Sequence, residues 1–284
     1  MPENGLRRGH PEISMDLRLF FCPSPPRVSP LRYPGGKTRA RALLTRYVET
    51  EYPGRRTLLS PFLGGGSFEL SRLDAGCRVY GNDLFAPLAT FWTVLKTSPR
   101  ELQAAVRAAL PVSKEDFLRS RSSILSMTDP LEIATAYFLV NRCSFSGATF
   151  CGGYSREAAE KRLTASAIDR LGRVELSRLT VTCQDACEFL RAHPETEDTV
   201  VYADPPYVIE SYLYGKDGDL HEAFDHTAFA GVLKTRRDWI LSYNDCPLVR
   251  ELYAGCQIEE ATWAYGMDNG KKPARELIIR PGTL

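Results

Sequence analysis

The sequence predicts an α/β fold, a doubly wound sheet of about seven strands with a mainly helical segment inserted into it. Three observations carry that expectation. Apolar strand runs alternate with helix-period patterns in both the early and the late part of the chain. The first strand opens into a triple-glycine turn, Gly64, Gly65 and Gly66. The stretch TVVYADPPYV, residues 199 to 208, runs a buried-strand pattern straight into Asp204, Pro205, Pro206 and Tyr207. Two prolines in a row remove two N–H donors and hold the chain extended, so the strand must stop there with its carbonyls free to face a cleft. In such sheets ligands bind beyond the strand carboxyl ends, at the point where neighbouring strands lead to opposite faces.

The elements follow in order. Residues 1 to 30 hold six prolines and no sustained periodicity, and read as an extended or disordered lead-in. LRYPGGKT, residues 31 to 38, lacks the first glycine of a phosphate-binding P-loop, because Leu31 stands at that position. What remains is an aromatic (Tyr33), a flexible glycine pair and a cation (Lys37), expected to open a helix through Leu44 and Val48 whose start favours an anionic group. TLLSPFLGGGSFEL reads as strand, glycine turn and helix, a nucleoside cradle without the third glycine that packs a helix over pyrophosphate. The next strand, CRVYGND, ends in Asp83 about twenty residues on, the distance at which a carboxylate reaches ribose hydroxyls. From Pro87 to Asn141 the pattern is helical, with Ser98 and Asp129 as candidate caps. NRCSFSGATFCGGYS and a charged helix from Arg156 to Leu179 complete an inserted subdomain at 97–178. The catalytic domain is then 31–96 plus 179–284. Strand and helix alternation resumes at Leu179, passes a loop after Tyr207 that reads as a mobile flap, and ends in two strands joined by GMDNGKKPAR.

Composition narrows the chemistry. The net charge of +1 gives no global sign of a polyanion partner, so nucleic-acid contact must rest on local patches. Residues 1–41 carry eight Lys/Arg against three Asp/Glu, and residues 94–180 thirteen against nine, which makes these the basic segments. Eight cysteines without a CxxC pair and four histidines argue against a metal site. No secretory signal or membrane span is visible, so an intracellular protein with reduced thiols is expected. At the Pro-Pro corner, a carboxylate, a free carbonyl and a phenol within four residues can grip a flat ring bearing an amine.

LRYPGGK, PFLGGGSFE, YGND, NRCSFSG, VVYADPPY, LSYND and NGKKPARELI stand in the order of the Dam-type (alpha-group) family of S-adenosylmethionine-dependent DNA adenine N6-methyltransferases, which the chain resembles over roughly residues 31 to 281. The resemblance implies a Rossmann-like methyltransferase sheet, S-adenosylmethionine as cofactor and double-stranded DNA as partner. It implies that Tyr33, Lys37, Phe62, Gly64 and Gly66 surround the methionine half of the cofactor, that Asp83 accepts from the ribose and Asp185 from the cofactor's adenine amine, with Asp204 facing both ligands. A target adenine would flip out of the duplex, its two N–H groups donated to Asp204 and the Pro205 carbonyl, with Tyr207 stacked on the ring beside Pro206. Arg32, Arg142, Lys271 and Lys272 are the expected DNA contacts. A monomer or weak dimer is expected, with a partner restriction endonuclease as an optional companion.

Two departures stand out. Ser60 occupies the place where the family has an acidic residue holding the methionine ammonium, which leaves that task to weaker binding or to another group such as Glu69. Phe150 and Cys151 stand where members modifying GATC carry a basic residue, so that target sequence is not expected here. The N4 amine of cytosine could be gripped in the same way, and a catalytically silent DNA-binding module would keep the same fold. A carbon-5 cytosine methyltransferase is excluded, because its cysteine nucleophile follows a proline and no Pro-Cys pair occurs.

Overall fold

A computed structural model describes residues 27–33, 37, 40–208, 224–262 and 275–282. Seven strands form one sheet in the order β3-β2-β1-β4-β5-β7-β6. They are β1 (Thr57–Ser60), β2 (Arg78–Asn82), β3 (Leu179–Thr182), β4 (Thr199–Ala203), β5 (Trp239–Asn244), β6 (Gln257–Thr262) and β7 (Arg275–Arg280). The first five run parallel, and β7 is inserted antiparallel between β5 and β6. β1 pairs with β2 on one side and β4 on the other, with Leu59 opposite Val201. The glycine-turn strand and the Asp204 strand therefore flank the switch point.

The helices are α1 (Arg41–Glu51), α2 (Ser67–Asp74), α3 (Ala86–Thr97), α4 (Pro99–Ala108), α5 (Lys114–Ser123), α6 (Pro130–Cys143), α7 (Arg156–Arg162), α8 (Ala165–Leu171), α9 (Ala186–Ala192), α10 (His226–Leu233) and α11 (Pro247–Leu252). Strand alternation sends successive side chains to opposite faces, so a buried strand feeds two cores. Val200 and Tyr202 join one apolar cluster with Leu44, Phe68, Phe91 and Phe138, while Val201 and Ala203 join another with Phe189, Phe229 and Tyr253. The inserted helices share the first of these cores. Phe91 of α3 stacks on Phe138 of α6 at 6.0 Å between ring centroids.

Local chemistry sets most boundaries, and in three places it departs from the expected ones. Asp129 caps α6 by accepting from the Glu132 N–H, with Pro130 at the first helical position. Ser98 sits at the start of α4 but makes no side-chain cap, its ψ of 53° lying away from the extended geometry that Asp129 adopts at ψ 120°. The charged helix expected from Arg156 to Leu179 is two short ones, because Thr164 caps α8 through the Ala167 N–H and so ends α7. The first helix begins at Arg41 behind Ala40, which offers no side-chain cap, rather than at Lys37, so among the described residues that lysine does not open the helix.

Candidate active site

The Pro-Pro corner and the glycine turn open onto one cavity of about 440 Å³. At the end of β4, Asp204 Oδ1 accepts from Lys37 Nζ at 2.8 Å and from the Ser242 hydroxyl at 2.9 Å. Ser242, fully buried on β5, is itself 3.0 Å from the Tyr202 hydroxyl, so a short relay fixes the carboxylate from below. Asp204 Oδ2 makes no hydrogen bond to any described residue. Lys37 Nζ also meets the Tyr207 hydroxyl at 2.8 Å and lies 3.8 Å from Glu276 Oε2 on β7. A buried ammonium between two carboxylates and a phenol is compensated on three sides. Burial, then the charges of Asp204 and Glu276, push the Tyr207 phenol well above its ordinary range, so it stays a neutral donor. Pro205 and Pro206 line the cavity beside it, and the Pro205 carbonyl takes no hydrogen bond from a described residue.

The opposite wall is the turn between β1 and α2. Gly66 has φ +64°, and a Cβ there would lie 2.8 Å from the Trp92 ring. Trp92 in turn donates from its indole nitrogen to the Gly64 carbonyl at 2.9 Å. A Gly66→Ala variant combines left-handed strain with a clash, so its expected cost is about 1–3 kcal/mol. Thermal unfolding should register a midpoint lower by about 2–4 °C per kcal/mol. Tyr33 covers Gly64 and Gly65, while Phe62 packs edge-on against Phe224 and Phe229 at 5.5 and 5.0 Å.

Three carboxylates border this half of the cavity. Asp83 accepts from the Gly64 N–H and the Phe85 N–H, both at 3.0 Å, yet burial pushes its carboxyl up to about 6. Asp185 Oδ1 caps α9 through the Cys187 and Glu188 N–H groups, and Oδ2 has no partner among the described residues. Glu69, only 4% exposed, accepts from the Ser60 hydroxyl at 2.7 Å. Burial raises its carboxyl to about 7, against the pull of its own backbone N–H and of Ser60. An acid in the first turn of α2 thus stands against position 60, hydrogen-bonded to the serine itself.

The profile of the D12 class N6 adenine-specific DNA methyltransferase family matches residues 33–267. The chain belongs to this family. It is an adenine-specific DNA methyltransferase by descent, and the sheet order accords with the methyltransferase fold expected from sequence. Among solved structures it is similar to yhhF of Escherichia coli, described as a putative methyltransferase, at 10% identity and a TM-score of 0.35 over 86% of each chain. It is also similar to a precorrin 8W decarboxylase of Methanobacterium thermoautotrophicum, at 12% identity and a TM-score of 0.34 over 86% of this chain and 90% of that one. No curated protein matches the chain.

In this methyltransferase the loop after α6 forms the cavity's third side. Ala148, Thr149, Phe150 and Cys151 line it, and Ser146 and Thr149 have positive φ at 54° and 49°. Phe145, beside the strained serine, is 67% exposed. Asn141 ties this loop to the first described segment, accepting from the Arg32 N–H and donating to the Arg32 carbonyl and the Thr149 hydroxyl. Of the expected DNA contacts, Arg32 is half-buried with its guanidinium on the Ser144 carbonyl at 3.1 Å, and Arg142 is not a surface cation but 7% exposed. Lys271, Lys272 and most of the flap after Tyr207 lie outside the described residues.

Sequence reasoning did not single out Ser242, Glu276 or Asn82. Asn82 is a buried clamp whose amide donates to the Pro61 and Gln184 carbonyls and accepts from Thr182 and the Gln184 N–H, tying the ends of β1, β2 and β3 together. A polar residue inside each of these strands was the available signal. Among the described residues no group of His, Cys, Asp or Glu could hold a metal ion, and no helix is long and apolar enough to cross a membrane.

Proposed function

We propose that the chain transfers a methyl group from S-adenosylmethionine to the N6 amine of an adenine turned out of double-stranded DNA. The observation that carries this reading is the shared cavity: the Asp204 corner and the glycine turn with its three carboxylates face the same space. S-adenosylmethionine would supply a methyl group activated on a sulfonium sulfur. The residues present fit it: Asp83 for the ribose hydroxyls, Asp185 Oδ2 for the adenine amine, Glu69 for the ammonium, with Tyr33, Phe62, Gly64 and Gly66 as apolar and backbone walls.

The chain's own contribution is to prepare the amine. An adenine N6 lone pair is delocalised into the ring and is a poor nucleophile. Asp204 Oδ2 and the Pro205 carbonyl would accept its two N–H groups, holding the nitrogen in a pyramidal form with the lone pair released. Lys37 and Ser242 fix Oδ1, so the carboxylate cannot rotate away. Tyr207 and Pro206 offer faces for the ring, and Phe145 is an exposed aromatic able to fill the gap a displaced base leaves in the stack. Residues 97–178 are proposed as the target-recognition subdomain, with Phe150 and Cys151 at its cavity edge.

Mass spectrometry of nucleosides from DNA incubated with the purified chain and S-adenosylmethionine tests the reading. N6-methyladenine is expected. N4-methylcytosine would overturn the choice of base, and cofactor binding without methylation of varied DNA would identify a silent binding module.

A further inference from the structure

Pro205 and Pro206 interrupt the sheet. The ladder between β4 and β5 ends with Ala203 opposite Leu241, and neither proline has an N–H to carry it further. A segment released in this way swings about the end of its strand unless something recaptures it. Asn244, the last residue of β5, does so. Its side-chain oxygen accepts from the Val208 N–H at 3.0 Å, and its amide nitrogen donates to the Val208 carbonyl at 2.7 Å. A carboxamide carries the same donor and acceptor as a peptide unit, so the two residues exchange hydrogen bonds as a pair in a ladder would.

The same strand end meets the corner at two more points. Ser242 donates to Asp204 at 2.9 Å, and the Tyr243 ring lies 6.0 Å from that of Tyr207. Asp204 and Val208 are thus held at the two ends of the Pro-Pro turn by residues two apart on one strand, which alternation places on one face. On its other edge β5 is braced by β7, where Asn244 stands opposite Glu276, the carboxylate 3.8 Å from Lys37. Asn244 itself does not line the cavity. Whatever it does for the site passes through the backbone it holds.

We propose that Asn244 is a positioning residue for methyl transfer, acting through the Val208 backbone to hold the Pro205 carbonyl and the Tyr207 ring in place beside Asp204. The inference rests on the reading of this corner as the grip on the target amine, and adds what keeps that grip in shape. Acceptors prepare an amine only when their positions are fixed before it arrives, and a displacement of about 1 Å can lower a rate by about 10²-fold. Ser242 fixes the carboxylate at the near end of the turn. Asn244 closes the far end.

The test compares Asn244→Ala with Thr57→Val in the full chain. Thr57 opens β1 at the opposite end of the sheet and donates to Asp198 at 2.7 Å, so its loss removes a hydrogen bond away from the cavity. Both substitutions should lower the thermal midpoint. With cofactor saturating and DNA that the unsubstituted chain methylates, single-turnover formation of N6-methyladenine should fall by about 10- to 100-fold in Asn244→Ala and be unchanged in Thr57→Val. Affinity for S-adenosylmethionine should be the same in all three proteins. Asn244→Asp keeps the acceptor and loses the donor, and it too should be slower than the unsubstituted chain; it carries the comparison if the alanine variant does not fold. An unaltered rate at position 244, or an equal loss in Thr57→Val, overturns the assignment. If the unsubstituted chain forms no N6-methyladenine, the reading of the corner fails instead. Asn244 is then judged by hydrogen exchange: the Val208 amide should exchange about tenfold faster in Asn244→Ala than in the unsubstituted chain or in Thr57→Val, and equal exchange overturns its hold on the corner.

Discussion

Asp204→Ala should leave cofactor binding within a few-fold of the parent and lower kcat for adenine methylation by about 10²–10³ or more, the usual effect of removing one preorganised partner from a reacting group. Two consequences combine. The amine loses its charged acceptor, and Lys37 loses the carboxylate at 2.8 Å while Glu276 remains 3.8 Å away. Asp204→Asn separates the two, since an amide keeps the shape and can still accept one N–H while giving up the charge. Single-turnover methylation, measured with cofactor saturating, distinguishes the chemical step from binding. A kcat within about threefold of the parent in the alanine variant would remove Asp204 from the catalytic role.

The second large effect is expected at Glu69. Glu69→Gln keeps the size and can still accept from Ser60, but it cannot hold a cation. Loss of a charged hydrogen bond is worth about 1.5–3 kcal/mol, so S-adenosylmethionine affinity should fall by about 10- to 150-fold at pH 7.5. The pH dependence gives a second readout. Burial raises the Glu69 carboxyl to about 7 and that of Asp83 to about 6, both above their unfolded values. The free protein therefore favours the protonated acids, and their contribution to stability is full below the unfolded pKa values and lost as pH rises through 6 to 7. Cofactor binding needs the ionised forms, so affinity should rise with pH across that window and level off above 7. In Glu69→Gln the portion near 7 should vanish, the portion near 6 should persist, and the free protein should be no less stable than the parent. Calorimetric titrations at pH 5.5, 6.5 and 7.5 decide it. An unchanged affinity in the variant would return the ammonium to some other group.

Much of the site is legible in the sequence. The strand runs and the Pro-Pro corner identify which carboxylate ends a central strand, because apolar periodicity and missing N–H groups act locally. The neighbourhood of β1 and β4 follows from the rule for switch points. What stays hidden is set by tertiary contact. Glu276 reads as an ordinary polar opening of a strand, and only the antiparallel insertion of β7 brings it to Lys37. Arg162 and Arg170 look like solvated cations on a charged helix. Thr164 breaks that helix in two, and each arginine then sits in the last turn of a short helix. Ser60 shows the converse, since the missing acid is visible in the sequence while the hydrogen bond that brings Glu69 to it from the first turn of the next helix is not.

The ammonium of Lys37 has one further consequence. With that cation already seated against Asp204, the Oδ1 side of the carboxylate is answered before any substrate arrives. A protonated aliphatic amine, on a protein side chain or a polyamine, would have to approach Asp204 against the adjoining Lys37 ammonium, whereas an uncharged aromatic amine would not. On the proposed reading, Asp204 is thereby biased toward neutral aromatic amines ahead of any recognition of sequence.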